Sequence, residues 1–99
     1  MKVHYRELAL SDLDRVFHYL GERNVSGARR VIAAIHAAID DIALNPLSAR
    51  VTSDSTVRVK IVRRYGYKIF YSVAAEGVEI LHVRHGARQA WPAEAIDRD

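Results

Sequence analysis

The sequence predicts a two-layer α+β domain. Apolar residues recur at helical spacing in two stretches of the first half, and the period switches to two from Val57 onward. The loops between the later segments are too short for crossovers, so those segments must form a three-stranded antiparallel meander. The stripe of the helical hairpin and one sheet face then bury each other, placing the helices on a single face. Residues 1–99, with 49% hydrophobic and 27% charged composition, suit one domain with a modest core.

Lys2–Glu7 predicts a short N-terminal strand, with Val3 and Tyr5 on one face and His4 and Arg6 on the other. The first helix carries Leu13, Val16, Phe17 and Leu20 on one face. Ser11 followed by Asp14 resembles a capping box and would start this helix at Ser11 or a turn earlier, near Leu8. Gly21 and Asn24 mark its end.

The second helix has Ser26 as candidate cap and Ala28, Val31, Ile32, Ile35, Ile39 and Ile42 as its apolar stripe. Asn45-Pro46 stops it, because a residue before proline is pushed out of helical geometry. The short connection between the helices allows only a tight antiparallel hairpin. Leu47–Thr56 reads as a loop with a short extended piece at Arg50–Ser53.

From Val57 the alternation is clear. Val57, Val59 and Ile61 oppose Arg58 and Lys60, and a turn at Arg63–Gly66 follows. Tyr67, Ile69, Tyr71 and Val73 then alternate with Lys68, Phe70 and Ser72. Glu76-Gly77 makes a hairpin turn, and Val78–Arg84 follows with Leu81 and Val83 on one face and Ile80, His82 and Arg84 on the other. After Gly86 the tail holds at most a short helix, interrupted at Pro92.

Composition excludes several classes of function. No apolar run is long enough to span a membrane. The start, MKVHYRELAL, carries charge where a signal segment would be apolar, so a cytoplasmic location is expected. Without cysteine there is no disulfide or thiolate chemistry. No phosphate-cradling Gly-rich loop, nucleophile elbow or HExxH is present, and no cofactor is expected. His82 and His85 at a strand end, with no carboxylate fixed beside them by the sequence, do not make a metal site.

Charge is the informative part. Residues 1–49 balance six basic against six acidic side chains, whereas residues 50–88 hold eight against three. Such clustering favours an anionic partner, either nucleic acid or an acidic protein segment. Arg58 and Lys60 lie on one side of a strand, about 6.6 Å apart at strand rise. If Lys68 joins them from the neighbouring strand, the open sheet face carries Arg58, Lys60 and Lys68, with His82 and Arg84 as further candidates and Phe70 and Ile80 among them. Arg88, beyond Gly86, is either a phosphate clamp or a latch to a helix carboxylate. Tyr65, Tyr67 and Tyr71 are expected to fill the core edge rather than stack on bases, and Trp91 to pack over an open core edge.

The segments Ala9-x-x-Asp12-Leu13-x-x-Val16-x-x-Tyr19-Leu20, Asn45-Pro46, Tyr65-Gly66-Tyr67-Lys68-Ile69-Phe70-Tyr71 and Ile80-Leu81-His82-Val83-Arg84-His85-Gly86-Ala87-Arg88, with Arg58 between them, resemble the RelE/ParE superfamily of toxins from type II toxin–antitoxin modules. The resemblance covers nearly the whole chain in order. It implies a growth-inhibiting protein neutralised by a cognate antitoxin whose C-terminal segment wraps it. Acidic residues in that segment would meet Arg58, Lys60 and Arg88.

The RelE branch cleaves mRNA on the ribosome, and the resemblance maps its basic groups onto Arg58, Lys60, Lys68 and Arg88. The ParE branch poisons DNA gyrase. Cleavage requires a base for the ribose 2′-OH and an acid for the leaving oxygen. Arginine is poorly suited to either role. No tyrosine or histidine follows Arg88; the tail has Trp91 and Glu94 instead. The His-Gly-Ala-Arg segment is more similar to the ParE branch, so gyrase is the expected target. A ribosome-dependent nuclease using Lys60, Lys68 and Arg88 is the second reading, and a non-toxic antitoxin-binding module the third.

Overall fold

The computed structural model describes residues 1–86. The elements run β1 (Val3–Tyr5), α1 (Glu7–Gly21), α2 (Val25–Leu44), β2 (Arg50–Val51), β3 (Arg58–Val62), β4 (Tyr67–Ala74) and β5 (Gly77–His85). They form one five-stranded sheet in the order β1-β5-β4-β3-β2, with the expected extended piece supplying the fifth strand at Arg50–Val51. The meander is antiparallel, whereas β1 joins β5 in parallel, Val3 opposite Val78 and Tyr5 opposite Ile80. No helix among the described residues is long and apolar enough to cross a membrane.

Of the two starts expected for α1 the structure takes the one near Leu8, and the cap of α2 differs from the sequence reading, both for local reasons. Helix α1 begins at Glu7, so Ser11 and Asp14 lie inside it and form no capping box. Arg6 holds the cap position in extended geometry, because its N–H donates to the Ile80 carbonyl at 2.9 Å and its own carbonyl accepts from Ala9 and Leu10. The end of β1 therefore sets where α1 starts. At α2 the cap is Asn24 rather than Ser26: its side-chain oxygen accepts from the Gly27 N–H at 3.0 Å, satisfying one orphan donor of the first turn.

Both helices cover the same sheet face. Ala28, Val31, Ile35, Ile39 and Ile42 of α2 are buried, with Ile32 half-buried beside them. Helix α1 contributes Ala9, fully buried, and the half-buried Leu13, Val16 and Leu20. Phe17, expected in that stripe, is 39% exposed, since one helical step past Val16 turns it onto the flank. From the sheet, Tyr67, Ile69, Tyr71, Ile80 and Val83 enter this core. Tyr71 is fully buried, and its hydroxyl donates to the Pro46 carbonyl at 2.7 Å, tying β4 to the end of the helical layer. Burial pushes the Tyr71 phenol above its usual pKa.

A second cluster was not anticipated. Val57, Val59, Phe70 and Leu81 are buried together, apart from the main core and without any helix residue. Val59 pairs with Phe70 across the strands, so this is the sheet face turned away from the helices. Val57 and Val59 thus point away from the helical layer, and Arg58, Lys60 and Val62 point toward it. On β5, a register irregularity beside Phe70/Tyr71 interrupts the alternation: Phe70 pairs with His82 and Tyr71 with Ile80. Ile80 and Val83 therefore enter the main core and Leu81 the second cluster, which corrects the simple period-two assignment.

Gly77 opens β5 with φ 152°, and a Cβ built there would lie 2.5 Å from the Lys2 carbonyl oxygen. That oxygen accepts the Val78 N–H at 2.8 Å, so the missing side chain is what lets β1 close onto the sheet. Gly86, with φ 75°, leaves β5 in the left-handed region, as its position at a strand exit suggested.

Candidate functional site

Arg58, Lys60, Lys68, His82 and Arg84 were expected on one sheet face, and the pleat divides them. Arg58 lies opposite Tyr71 and Lys60 opposite Ile69, both main-core residues, so the two cations share the helix side of β3. There they are already engaged. Arg58 Nη1 donates to the Leu47 carbonyl at 3.1 Å and to that of Ala49 at 2.7 Å. Lys60 Nζ donates to Asp41 Oδ2 on α2. That hydrogen bond, and then the ammonium charge, hold the Asp41 carboxyl below its usual range. The reason is geometric: Asp41 lies on the flank of α2, within reach of a lysine from β3.

Lys68 sits on the other face. It pairs with Ile61 on one side and with Arg84 on the other, so Lys68 and Arg84 are direct cross-strand neighbours. Side chains so placed have Cβ atoms about 5 Å apart, close enough for like charges to oppose each other. The surface expected to carry Arg58, Lys60 and Lys68 together does not exist: Lys68 stands on one face, Arg58 and Lys60 on the other, and the Arg84 guanidinium reaches His82 on the α1 side of β5. Arg88, Trp91 and Glu94 lie outside the described residues.

His82 is positioned by a residue to which sequence reasoning gave no role. Asp12 Oδ2 lies 3.2 Å from His82 Nδ1 and accepts the Val83 N–H at 3.0 Å. Both side chains are nearly buried, 12% and 11% exposed. Arg84 Nη2 lies 3.4 Å from the same ring nitrogen. An ionised carboxylate only accepts, so the Asp12 contact calls for a proton on Nδ1; the Arg84 approach is then proximity of two donors rather than a hydrogen bond. Asp12 appears in the first helical motif, but only the fold reveals that it meets a strand far along the chain.

Replacing Asp12 by alanine is expected to cost about 2 kcal/mol, by leaving buried donors of β5 without an acceptor. Urea denaturation checks the magnitude, and faster hydrogen exchange at the Val83 amide checks the cause. Unchanged protection at that amide would count against this contact.

Between α1 and β5 runs a cleft of about 430 Å³, lined among others by Arg15, Val16, Tyr19, Leu20, Val83 and Arg84. Val16, Leu20 and Val83 give it apolar lining, and Arg15, Arg84 and the Asp12 carboxylate, itself engaged by His82 and the Val83 N–H, give it polar lining. Tyr67 and His85 also line it, with ring centroids 4.9 Å apart and planes at 60°.

Element order and sheet topology define the class of protein. A structure of the chromosomal ParDE toxin–antitoxin system from P. aeruginosa superposes with a TM-score of 0.75, covering 87% of this chain and 96% of that chain at 19% identity. The isolated E. coli RelE toxin matches with a TM-score of 0.62 over 97% of this chain and 95% of its own, at 18% identity. A mutant of E. coli RelE in complex with an antitoxin RelB peptide gives a TM-score of 0.59 at 16% identity, covering 97% and 90%. These likenesses establish the RelE/ParE fold.

Sequence narrows the class to one branch. The family model described as ParE toxin of type II toxin-antitoxin system, parDE, matches residues 3–90. Protein Y4kP of Sinorhizobium fredii (strain NBRC 101917 / NGR234), named as a candidate toxin, is 36% identical over 84 residues, covering 85% of each chain. The chain belongs to the ParE toxin family of type II toxin–antitoxin systems.

Proposed function

We propose that this toxin arrests growth by binding DNA gyrase, without cutting nucleic acid, and that a cognate antitoxin neutralises it. The observation that carries the proposal is the division of the basic residues. A nuclease built from Lys60, Lys68 and Arg88 would need at least the two lysines to converge on one phosphate and its neighbouring hydroxyl. They lie on opposite faces of the sheet, and Lys60 is held by Asp41. General acid–base catalysis requires both groups within hydrogen-bond reach of the reacting atoms, which this arrangement does not offer. The ParE family membership points the same way.

The antitoxin is assigned to the cleft between α1 and β5. Val16, Leu20 and Val83 suit the anchoring side chains of a bound segment, and Arg15 and Arg84 suit its carboxylates. Arg58 and Lys60, expected from sequence as the antitoxin's contacts, are occupied within the chain. The whole of residues 1–99 is taken as one toxin domain.

Induction of the toxin alone is the test. Filamentous cells, inhibition of supercoiling by purified gyrase, and intact ribosome-bound mRNA are the expected results. Cuts in ribosome-bound mRNA that disappear when Lys60 and Lys68 become alanine would replace this reading with the nuclease. For the antitoxin, Arg15→Glu combined with Arg84→Glu is expected to weaken binding at least about 100-fold, the scale of losing charged contacts across an interface. Isothermal titration measures it, and an unchanged affinity removes the cleft as the seat.

A further inference from the structure

The tip of the helical hairpin and the β3–β4 turn meet at one end of the molecule and concentrate positive charge there. Residues 21–31 and 62–66 hold five bases, Arg23, Arg29, Arg30, Arg63 and Arg64, against one acid, Glu22. The residues after Gly86 carry three acids and two bases, so wherever they lie they leave this end positive. A depression of about 190 Å³ joins the two segments, lined by Arg23, Arg30 and Tyr65 together with apolar Ala28 and Val31. Two of the guanidiniums are held in place. Arg23 Nη1 donates to the Tyr19 carbonyl at 3.1 Å, and its guanidinium lies over the Tyr19 ring, 4.1 Å from the centroid. Arg64 lies over the half-buried Tyr65 ring at 5.4 Å. Contacts of this kind position a cation without neutralising it.

We infer that this end of the molecule binds single-stranded nucleic acid, taking one unpaired base against Tyr65 and the flanking phosphates on Arg23, Arg30 and Arg64. An aromatic ring and aliphatic side chains face the hollow, which suits the flat apolar surface of a base. Arginines stand beside it, and a guanidinium serves both as a phosphate partner and as a stacking plane. The charge continues past the hollow to Arg29 and Arg63, more than one phosphate needs, so a strand fits better than a free nucleotide. In a duplex the bases face each other, and none is available to enter the hollow. Leu20 borders both this hollow and the antitoxin cleft, but the arginines differ: Arg15 and Arg84 line the cleft, Arg23 and Arg30 the hollow. The inference is independent of the gyrase and antitoxin readings, because it concerns the toxin alone.

The test is fluorescence anisotropy of the full-length toxin with a short labelled oligothymidylate, an oligouridylate of the same length and a duplex of that length, across a salt series. The single strands are expected to bind more tightly than the duplex at equal salt. Three phosphate contacts predict that log affinity falls with log salt at a slope of about −2. A preference between the two strands names the sugar and supports the inference in either direction. Arg23→Gln with Arg64→Gln should make the slope shallower by about 1.4. Tyr65→Leu should weaken binding by about 5- to 150-fold at an unchanged slope, the scale of losing one stacked base. Tyr65→Phe, which keeps the ring in its half-buried place, should keep the affinity, so the result stands even if the leucine variant melts early. Lys2→Gln, beside the C-terminal end of α2, should change neither quantity. The inference fails if no single strand binds at low salt, if the duplex or a poly-glutamate peptide binds as tightly, or if the arginine pair leaves the slope unchanged. It fails equally if thymidine monophosphate competes at the concentration at which the strand itself binds.

Discussion

Gly77→Ala is expected to lower the unfolding free energy by about 2–4 kcal/mol, the range of substitutions that force a backbone out of a special conformation. Two independent costs combine. The residue has φ 152°, where L side chains are strained, and the new Cβ would sit 2.5 Å from a backbone oxygen rather than from a flexible side chain. The Lys2 carbonyl cannot move aside without giving up the Val78 N–H that it accepts at 2.8 Å. Relief therefore comes by lifting β1 off β5. Urea denaturation should show the loss, and hydrogen exchange should show it concentrated in the β1–β5 ladder. A change below about 1 kcal/mol, with β1 still protected, would mean that the strand can shift locally and that the close approach is not required.

Phe70→Ala is the second large effect, at about 3–5 kcal/mol for removing a buried aromatic side chain and leaving a cavity. Phe70 has no exposed surface although it lies on the face opposite the helices, packed with Val57, Val59 and Leu81. If that face were a solvated partner surface, the same truncation would cost only a few tenths of a kcal/mol, as surface changes do. Ile61→Ala, on the same face but 40% exposed, provides that comparison within one molecule. Equal costs for the two substitutions would contradict the second cluster as a structural core. Phe70→Leu should recover much of the loss, because a hydrophobic side chain of similar reach refills part of the cavity.

Much of this fold was legible because its periodicities are clean. The α2 stripe from Ala28 to Ile42, the tyrosine-bearing strand β4 and the turn at Gly77 all followed from spacing and turn chemistry. Which way β3 faces was not legible. Val57, Val59 and Ile61 alternate with Arg58 and Lys60, but alternation is symmetric and says nothing about which set meets the helices. The natural assumption, valines inward and cations outward, fails because Asp41 and the loop carbonyls of Leu47 and Ala49 welcome cations on the helix side. A register irregularity at Leu81 moves the later part of β5 out of step, which no count of alternating residues reveals.

The candidate site was readable only as a list of charges. Its grouping depended on cross-strand register, and the role of Asp12 on a contact between residues 70 positions apart. The cap at Asn24 was within reach, since asparagine before a helical run is a standard start signal, and it was read as the end of α1 instead.

The parallel pairing of β1 with β5 bears on how the molecule comes into being. Val3 finds Val78 only after all of the chain between them has been made, so the first strand waits for its neighbour until β5 emerges. Contacts between such distant positions close late, because the intervening loop must first be ordered. The helices and the meander can assemble from neighbouring segments beforehand, while the sheet border that orients α1, and with it the cleft beside β5, is completed last. A chain built this way gains its finished surface only after β5 has been made. Any segment seated between α1 and β5 would therefore meet a complete cleft only once β1 has paired with β5.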